Sequence, residues 1–312
     1  MIVRERPSGL RLFFLLRGSV LPRIRSALLV STLSAILVTI AHGNLFTVKI
    51  TLTTIPFTLI GLPLAIFLGF RNSAAFDRYW EGRKLWGELV HRCRSLSRQC
   101  QSFMAPAGLP GQAPAVDAMH QRIVYRAIAY VHALRLQLRD QRDGSELRRW
   151  VPEAEWPAIE KACSKPDAVM LQIGKELGQC QQQGRIDACL AATIDATLSS
   201  MTAAAASCER IKSTPVPFSY TLLLHRTAYL YCFLLPFGLV DTIGFMTPFV
   251  VAIVAYTFFG LDALGDELEE PFGLEPNDLP LDTLCRTIEI NLLESLGETA
   301  PAELAPVGYR LT

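Results

Sequence analysis

His91, Cys93 and Cys100, in the segment "HRCRSLSRQC", are the residues whose types come nearest to a metal-ligand set. Zinc needs its ligands on one side of a fold, and residues two apart on a helix point to different sides, so His91 and Cys93 do not converge. The other cysteines, at 163, 180, 189, 208, 232 and 285, show no Cys-x-x-Cys spacing and no paired histidine motif. They read as reduced thiols of a cytoplasmic region. No metal and no cofactor is expected. A membrane enzyme would need a nucleophile or an acid-base pair near the apolar runs. Only His42, His225 and Arg226 offer themselves, and the last two read better as a buried packing pair near the cytosolic face, so no enzyme is expected.

A different kind of site is written into "GLPLAIFLGFRNSAAFDRYWEGRKLW", Gly61 to Trp86, where a charge-free run passes directly into a charged one. Leu62, Ile66 and Phe70 recur every fourth residue, with Gly61, Ala65 and Gly69 immediately beside them. A helix advances ~100° per residue, so these form two adjacent stripes, one bulky and one small. The small stripe, Gly61, Ala65 and Gly69, allows close helix packing. The bulky stripe then points at whatever the packed helices surround, and rings of Leu, Ile and Phe form a hydrophobic constriction that gates by dewetting. Pro63 removes one N–H and crowds the Leu59 carbonyl, so a bend is expected midway.

The elements that must hold these stripes are membrane spans. The chain has 312 residues, 50% hydrophobic and 19% charged, which is apolar for its length. A net charge of +1, from 30 basic and 29 acidic residues, argues against a nucleic-acid partner. No charged side chain occurs from Ser26 to Val48, nor from Ile50 to Phe70, and each run can cross ~30 Å of hydrocarbon. A third span needs "PVPFSYTLLLH" in front of Thr227 to Val240, and a fourth runs from Thr242 to Leu261. Four spans without a membrane-buried acid suit a passive pore better than a pump.

Arginines at 4, 6, 11, 17, 23 and 25 precede span one, and Arg71, Arg78, Arg83, Lys84, Arg92, Arg94 and Arg98 follow span two. The short turns between spans carry only Lys49 and Asp241. The positive-inside rule therefore puts both termini and the long middle segment in the cytoplasm. The expected division is a cytoplasmic amphipathic arm over 1–25, with its apolar patch at Leu12 to Leu16, spans one and two over 26–70, a cytosolic helical domain over 71–216, spans three and four over 217–263, and a cytosolic acidic strap with a peripheral helix over 264–312.

The middle segment reads as helical. Phe76, Trp80, Leu85, Leu89 and Leu96 fall roughly on one side, a Pro- and Gly-rich break follows at Ala105 to Asp117, and further helices are expected over 118–139, 152–163, 166–183 and 187–211. In the last helix, Leu281 to Leu296, an apolar stripe of Leu284, Ile288, Leu292 and Leu296 should dock on another helix or a neighbouring subunit. The fold class is an all-α integral membrane protein, four transmembrane helices continuing into a cytosolic helical bundle.

"LPLAIFLGFRNSAAFDRYWEGRKLW" resembles the second membrane helix of the bestrophin family, most closely its bacterial branch. "TPVPFSYTLLLHRTAYLYCFLLPFGLVD" and "DELEEPFGLEPNDLPLDTL" resemble that family's third-helix approach and post-membrane segment, in the same order along the chain. The resemblance implies a homopentamer in the lipid bilayer around one axial pore for small inorganic ions. Its neck maps onto Leu62, Ile66 and Phe70, with Leu62 where Ile is commoner. A cytosolic constriction maps onto Leu190 through the triplet "GRI" at Gly184 to Ile186, or onto Cys189 if the alignment shifts by one.

Animal members of the family hold calcium in a run of acids directly after Pro-Phe-Gly. Here Leu274, Glu275, Pro276, Asn277, Asp278 and Leu279 follow Pro271, Phe272 and Gly273, which breaks the run; Asp266, Glu267, Glu269 and Glu270 read as a solvated or inter-subunit salt-bridged surface. Calcium-independent activity is expected. The family label is chloride channel, Phe rings favour anions through their positive edges, and the bacterial branch includes cation-conducting members. The expectation leans to monovalent cations. A non-conducting scaffold that docks cytosolic partners is the alternative.

Overall fold

The computed structural model describes residues 1–4, 9, 15, 18–41, 44–45, 48–49, 53–104 and 118–312. The expected arm helix, apart from Leu15, the residue His42 and the break at 105–117 lie outside these. Along the described residues the helices are α1 (Leu21–Ile40), α2 (Thr54–Phe103), α3 (Ala118–Leu138), α4 (Trp156–Lys161), α5 (Lys165–Gln182), α6 (Ala188–Ser213), α7 (Phe218–Ile243), α8 (Thr247–Glu269) and α9 (Leu281–Ser295). Between α1 and α2, β1 (Asn44–Leu45) and β2 (Val48–Lys49) make a short antiparallel hairpin with Asn44 opposite Lys49.

The chain divides into two compact units. A span unit comprises Arg4–Tyr79 and Pro215–Pro271, and a polar unit comprises Met1–Val3, Trp80–Thr214 and Phe272–Thr312. Long apolar stretches suited to crossing a membrane are Leu21–Ile40, the start of Thr54–Phe103, Ala188–Ser213 and Phe218–Glu269. The last is two helices, α7 and α8, reversed through the 3-10 turn Gly244–Met246. By contrast α6 owes its apolar composition to alanine. It buries Ala191, Ile194, Leu198, Met201 and Ala205 at helical spacing in the polar unit, packed on α5 and α3. The four spans are therefore α1, the first part of α2, α7 and α8.

Span one starts and stops earlier than its charge-free run. Pro22 sits in the first turn of α1, where its missing N–H costs nothing, and Arg23 and Arg25 are carried inside the helix. The helix ends at Ile40, ahead of the hairpin. Within the span unit, Ile24 packs with Cys232, Ala255 and Phe259, and Phe57 with Ala35, Leu235 and Val251. Leu64 and Leu68 pack with Leu224 and Ala228 of α7. Lipid tails are as apolar as these side chains, so contact density and small residues hold this unit together.

In the polar unit α3 is buried along nearly its whole length and packs against α5, α6 and α9. Each fully buried Leu or Ile there contributes roughly 2 kcal/mol. The unit also buries ions. Arg126 bonds Glu176 Oε2 at 2.8 Å and Glu155 at 2.6 Å, while Arg122 Nε bonds Glu176 Oε1 at 3.0 Å. Burial raises the Glu176 carboxyl, and the bonds from Arg122 and Arg126 outweigh it, holding the group below the usual carboxylate range.

The core face of α2 in the polar unit differs from the expected one. Phe76 and Trp80 are exposed, whereas Gly82, Trp86, Leu89, Cys93, Leu96 and Cys100 are buried. Free cysteine behaves as a small hydrophobe, so the true stripe runs through residues first weighed as thiols. Burial pushes the Cys93 and Cys100 thiols up to about 12. The α9 stripe docks on α3 of the same chain, with Cys285 in place of the half-buried Leu284; Cys285 Sγ reaches Val131 O at 3.5 Å.

Candidate functional site

Two faces of α2 in the span unit have opposite fates. Phe57 and, seven residues on, Leu64, Leu68, Arg71 and Ala75 at steps of three or four are buried among the other spans. Leu62, Ile66 and Phe70 lie on the opposite side and remain 65%, 47% and 63% exposed. Asp77 continues that exposed face two turns beyond Phe70, and has no partner among the described residues.

The small stripe divides. Gly61 faces inward: a Cβ there would lie 2.9 Å from the Tyr231 hydroxyl, so α7 approaches because the side chain is absent. Ala65 and Gly69 are exposed, and among the described residues no atom of another part of the chain lies within 4 Å of a Cβ built on Gly69. Pro63 stands inside α2, which continues helically on both sides of it.

Phe70 is buttressed from within its subunit. Its ring meets Phe67 edge to face at 6.4 Å, Phe67 meets Tyr220 of α7 the same way at 6.4 Å, and the Tyr220 hydroxyl donates to the Phe67 carbonyl at 3.1 Å. This aromatic chain fixes one end of the exposed stripe to α7.

One residue past the exposed stripe, Arg71 turns inward with a fully buried side chain. Its Nη1 bonds Asp262 Oδ1 at 2.8 Å, its Nη2 bonds Asp266 and reaches Glu269 Oε2 at 3.4 Å. Asp262 Oδ2 lies 2.7 Å from His225 Nδ1. Gly265 makes room for this seat, since a Cβ there would stand 2.6 Å from Asn72 Oδ1 and 3.2 Å from Arg71 Nη1. The span unit thus does bury an acid, one residue beyond the charge-free run, with both oxygens engaged. His225 and Arg226 do not form a buried pair: His225 turns to Asp262 and Arg226 is exposed.

Across the polar unit, Cys189 and Leu190 occupy the first turn of α6, where Asp187 accepts from Cys189 N at 2.8 Å. Cys189 is exposed and Leu190 half-buried. The acidic strap is bridged within its own subunit. Asp266 and Glu269 take Arg71, Glu269 Oε1 accepts from Val216 N at 3.0 Å, and Asp278 Oδ2 accepts from Glu275 N at 2.7 Å. Calcium takes six to eight oxygens, and these three carboxylates are turned to donors of the chain instead.

A model described as bacterial/fungal bestrophin protein matches residues 1–294. The chain belongs to the bestrophin family. A voltage-dependent anion channel-forming protein of Mesorhizobium japonicum is 43% identical over 306 residues, covering 97% of this chain and 95% of its own. The voltage-dependent anion channel-forming protein YneE of Escherichia coli K12 is 40% identical over the full length of both chains. The crystal structure of a bacterial bestrophin homologue from Klebsiella pneumoniae matches with a TM-score of 0.82 at 40% identity, over 88% of this chain and 99% of that one. Family and relatives mark this bestrophin as a multi-pass membrane ion channel.

Sequence reasoning missed the Arg71 seat and the Tyr220 buttress. For the first a signal existed: Arg71 and Asp262 each stand at the end of a charge-free run, and His225 interrupts a third. A buried partner is what such positions require. For the second there was none, because a tyrosine at a span boundary is ordinary.

Proposed function

We propose that this bestrophin conducts small monovalent ions passively through an axial pore formed by five copies of the chain, with Leu62, Ile66 and Phe70 as a hydrophobic neck. The observation that carries this reading is the division of α2: one face is packed inside the subunit, and the opposite face presents three bulky apolar side chains that the described residues leave largely exposed. Ala65 and Gly69, exposed beside them, let the same helix of a neighbouring copy approach closely. Both termini and the polar unit lie in the cytoplasm of a bacterial inner membrane, by the distribution of Arg and Lys. A second constriction forms at the first turn of α6, at Leu190, or at Cys189 if the alignment shifts by one.

Asp77 supports cations. It is the charge on the neck face immediately past Phe70, whereas Arg71 is turned inward and neutralised. Five copies would set a ring of carboxylates at the pore mouth, as cation channels do. The second reading, anions, rests on the names of the relatives from Mesorhizobium japonicum and Escherichia coli. Recording from purified protein in a planar bilayer under a several-fold KCl gradient separates them. A reversal potential of the potassium sign assigns cations, the chloride sign assigns anions, and a silent bilayer containing inserted protein favours a non-conducting scaffold.

A further inference from the structure

Between α1, α7 and α8 of the span unit lies a groove of about 310 Å³, lined by Ala27, Val30 and Ser31 from one side and by Tyr229, Phe233 and Phe259 from the other. Ser31 is buried with its hydroxyl directed at the Cys232 carbonyl, 3.5 Å away, so the lining the groove offers is chiefly hydrocarbon and aromatic. Its floor is ordered: the Tyr229 ring stacks on Phe259 at 4.5 Å and on His225 at 4.2 Å.

The mouth is basic. Arg226 lies one turn before Tyr229 and two before Phe233, on the same face of α7. Arg23 lies one turn before Ser26 and Ala27 on the groove face of α1. Both helices run from the end of the unit that also carries Arg71 and Asp262; Arg23 lies beside Asp266 and Glu267, and His225, next to Arg226, lies beside Asp262, about one turn further into α8. Arg23 meets its own chain only loosely, at 3.8 Å from Asp266 and 4.0 Å from Glu267. Arg226 is exposed and has no partner among the described residues. An arginine inside a span, three residues from an aromatic groove wall, needs a counter-charge that the described residues do not supply. At the cytoplasmic leaflet that counter-charge is lipid phosphate.

We propose that this groove seats one acyl chain of an anionic phospholipid whose phosphate is held by Arg226 and Arg23. A zwitterionic lipid shares the tail and lacks the net charge, so the basic mouth selects between them.

The test is saturable binding of tail-labelled phosphatidylglycerol to the purified protein in detergent, with unlabelled phosphatidylglycerol and phosphatidylcholine as competitors. Phosphatidylglycerol should compete and phosphatidylcholine should not. Arg226→Gln should weaken binding by about fivefold, Arg226→Lys should keep most of it, and Ala27→Trp, which fills the groove, should abolish it. Each variant is compared at the same elution volume as the unsubstituted protein, with Ala27→Leu replacing the larger side chain if that position does not tolerate it. Equal competition by the two lipids, or binding indifferent to both Arg226→Gln and groove filling, overturns the proposal. So does a disulfide joining Val30→Cys on two copies, which would place a second subunit in the groove. The readout is lipid binding and stands apart from conduction.

Discussion

Arg71 and Asp262 form a buried ion pair, Nη1 to Oδ1 2.8 Å, that ties α2 to α8 directly beneath the exposed Phe70. A lone charge in this setting is costly, and removing one partner of such a pair typically costs about 3–5 kcal/mol. Arg71→Ala should therefore lower the thermal midpoint of the detergent-solubilised protein by far more than a surface substitution such as Arg25→Ala. The double variant Arg71→Ala/Asp262→Ala should recover part of the loss. Strict additivity of the two single losses would show that the pair is not coupled.

The Tyr220 hydroxyl holds the Phe67 carbonyl, and the ring holds Phe67 against Phe70. Tyr220→Phe should cost about 1 kcal/mol and leave conduction close to that of the unsubstituted channel. Tyr220→Ala removes the ring as well and should change open probability. Equal gating in the two variants would mean that the buttress does not govern the neck.

Thiol chemistry separates the buried from the exposed cysteines. Cys93, Cys100 and Cys208 have thiols pushed up to about 12 by burial, and Cys163 and Cys189 are exposed. A maleimide at neutral pH should label Cys163 and Cys189 rapidly, and the three buried sites slowly. If the first turn of α6 forms a constriction, a charged methanethiosulfonate should alter current in the protein and leave Cys189→Ser unaffected. Persistence of the effect in Cys189→Ser would move the constriction elsewhere.

Glu176 lies below the ordinary carboxylate range in the folded protein because Arg122 and Arg126 outweigh its burial. A depressed folded value contributes stability that is fully present above the unfolded carboxyl value of 4.5 and is lost as pH falls through the folded value. The thermal midpoint should accordingly drop as pH is lowered beneath about 4.5. Glu176→Gln should start lower, by about 3 kcal/mol, and show a shallower acid dependence. An unchanged acid limb would assign the effect to other carboxylates.

How far the sequence could be read depended on which force placed each residue. Charge-free runs made the spans legible because hydrocarbon excludes ions whatever their neighbours, and α1, α2, α7 and α8 follow. Bounds were less legible: Pro22 and the 3-10 turn at Gly244–Met246 move helix ends by several residues without altering hydropathy. The core face of the later part of α2 differs from the sequence reading at Phe76 and Trp80, since side-chain size drew attention away from Cys93 and Cys100. The i, i+4 pattern of Leu62, Ile66 and Phe70 was visible at once, but periodicity places residues on a face and does not say what covers it. Arg71 and Asp262 are 191 residues apart, so only the fold joins them.

Calcium is not expected to matter, because three carboxylates of the strap, Asp266, Glu269 and Asp278, are engaged by Arg71 and by backbone donors. Conductance should be unchanged when EGTA replaces added calcium at constant ionic strength. Loss of current on chelation, restored by calcium and not by magnesium, would contradict this.

The central claim is that Leu62, Ile66 and Phe70 line the neck of an ion pore. Single-channel conductance of the purified protein, compared with that of Leu62→Ala/Ile66→Ala/Phe70→Ala in the same bilayer, tests it most directly. Widening and wetting the neck should give larger unitary current or higher open probability. Unitary current and gating identical to those of the unsubstituted channel, from protein that inserts and elutes normally, would place the neck elsewhere.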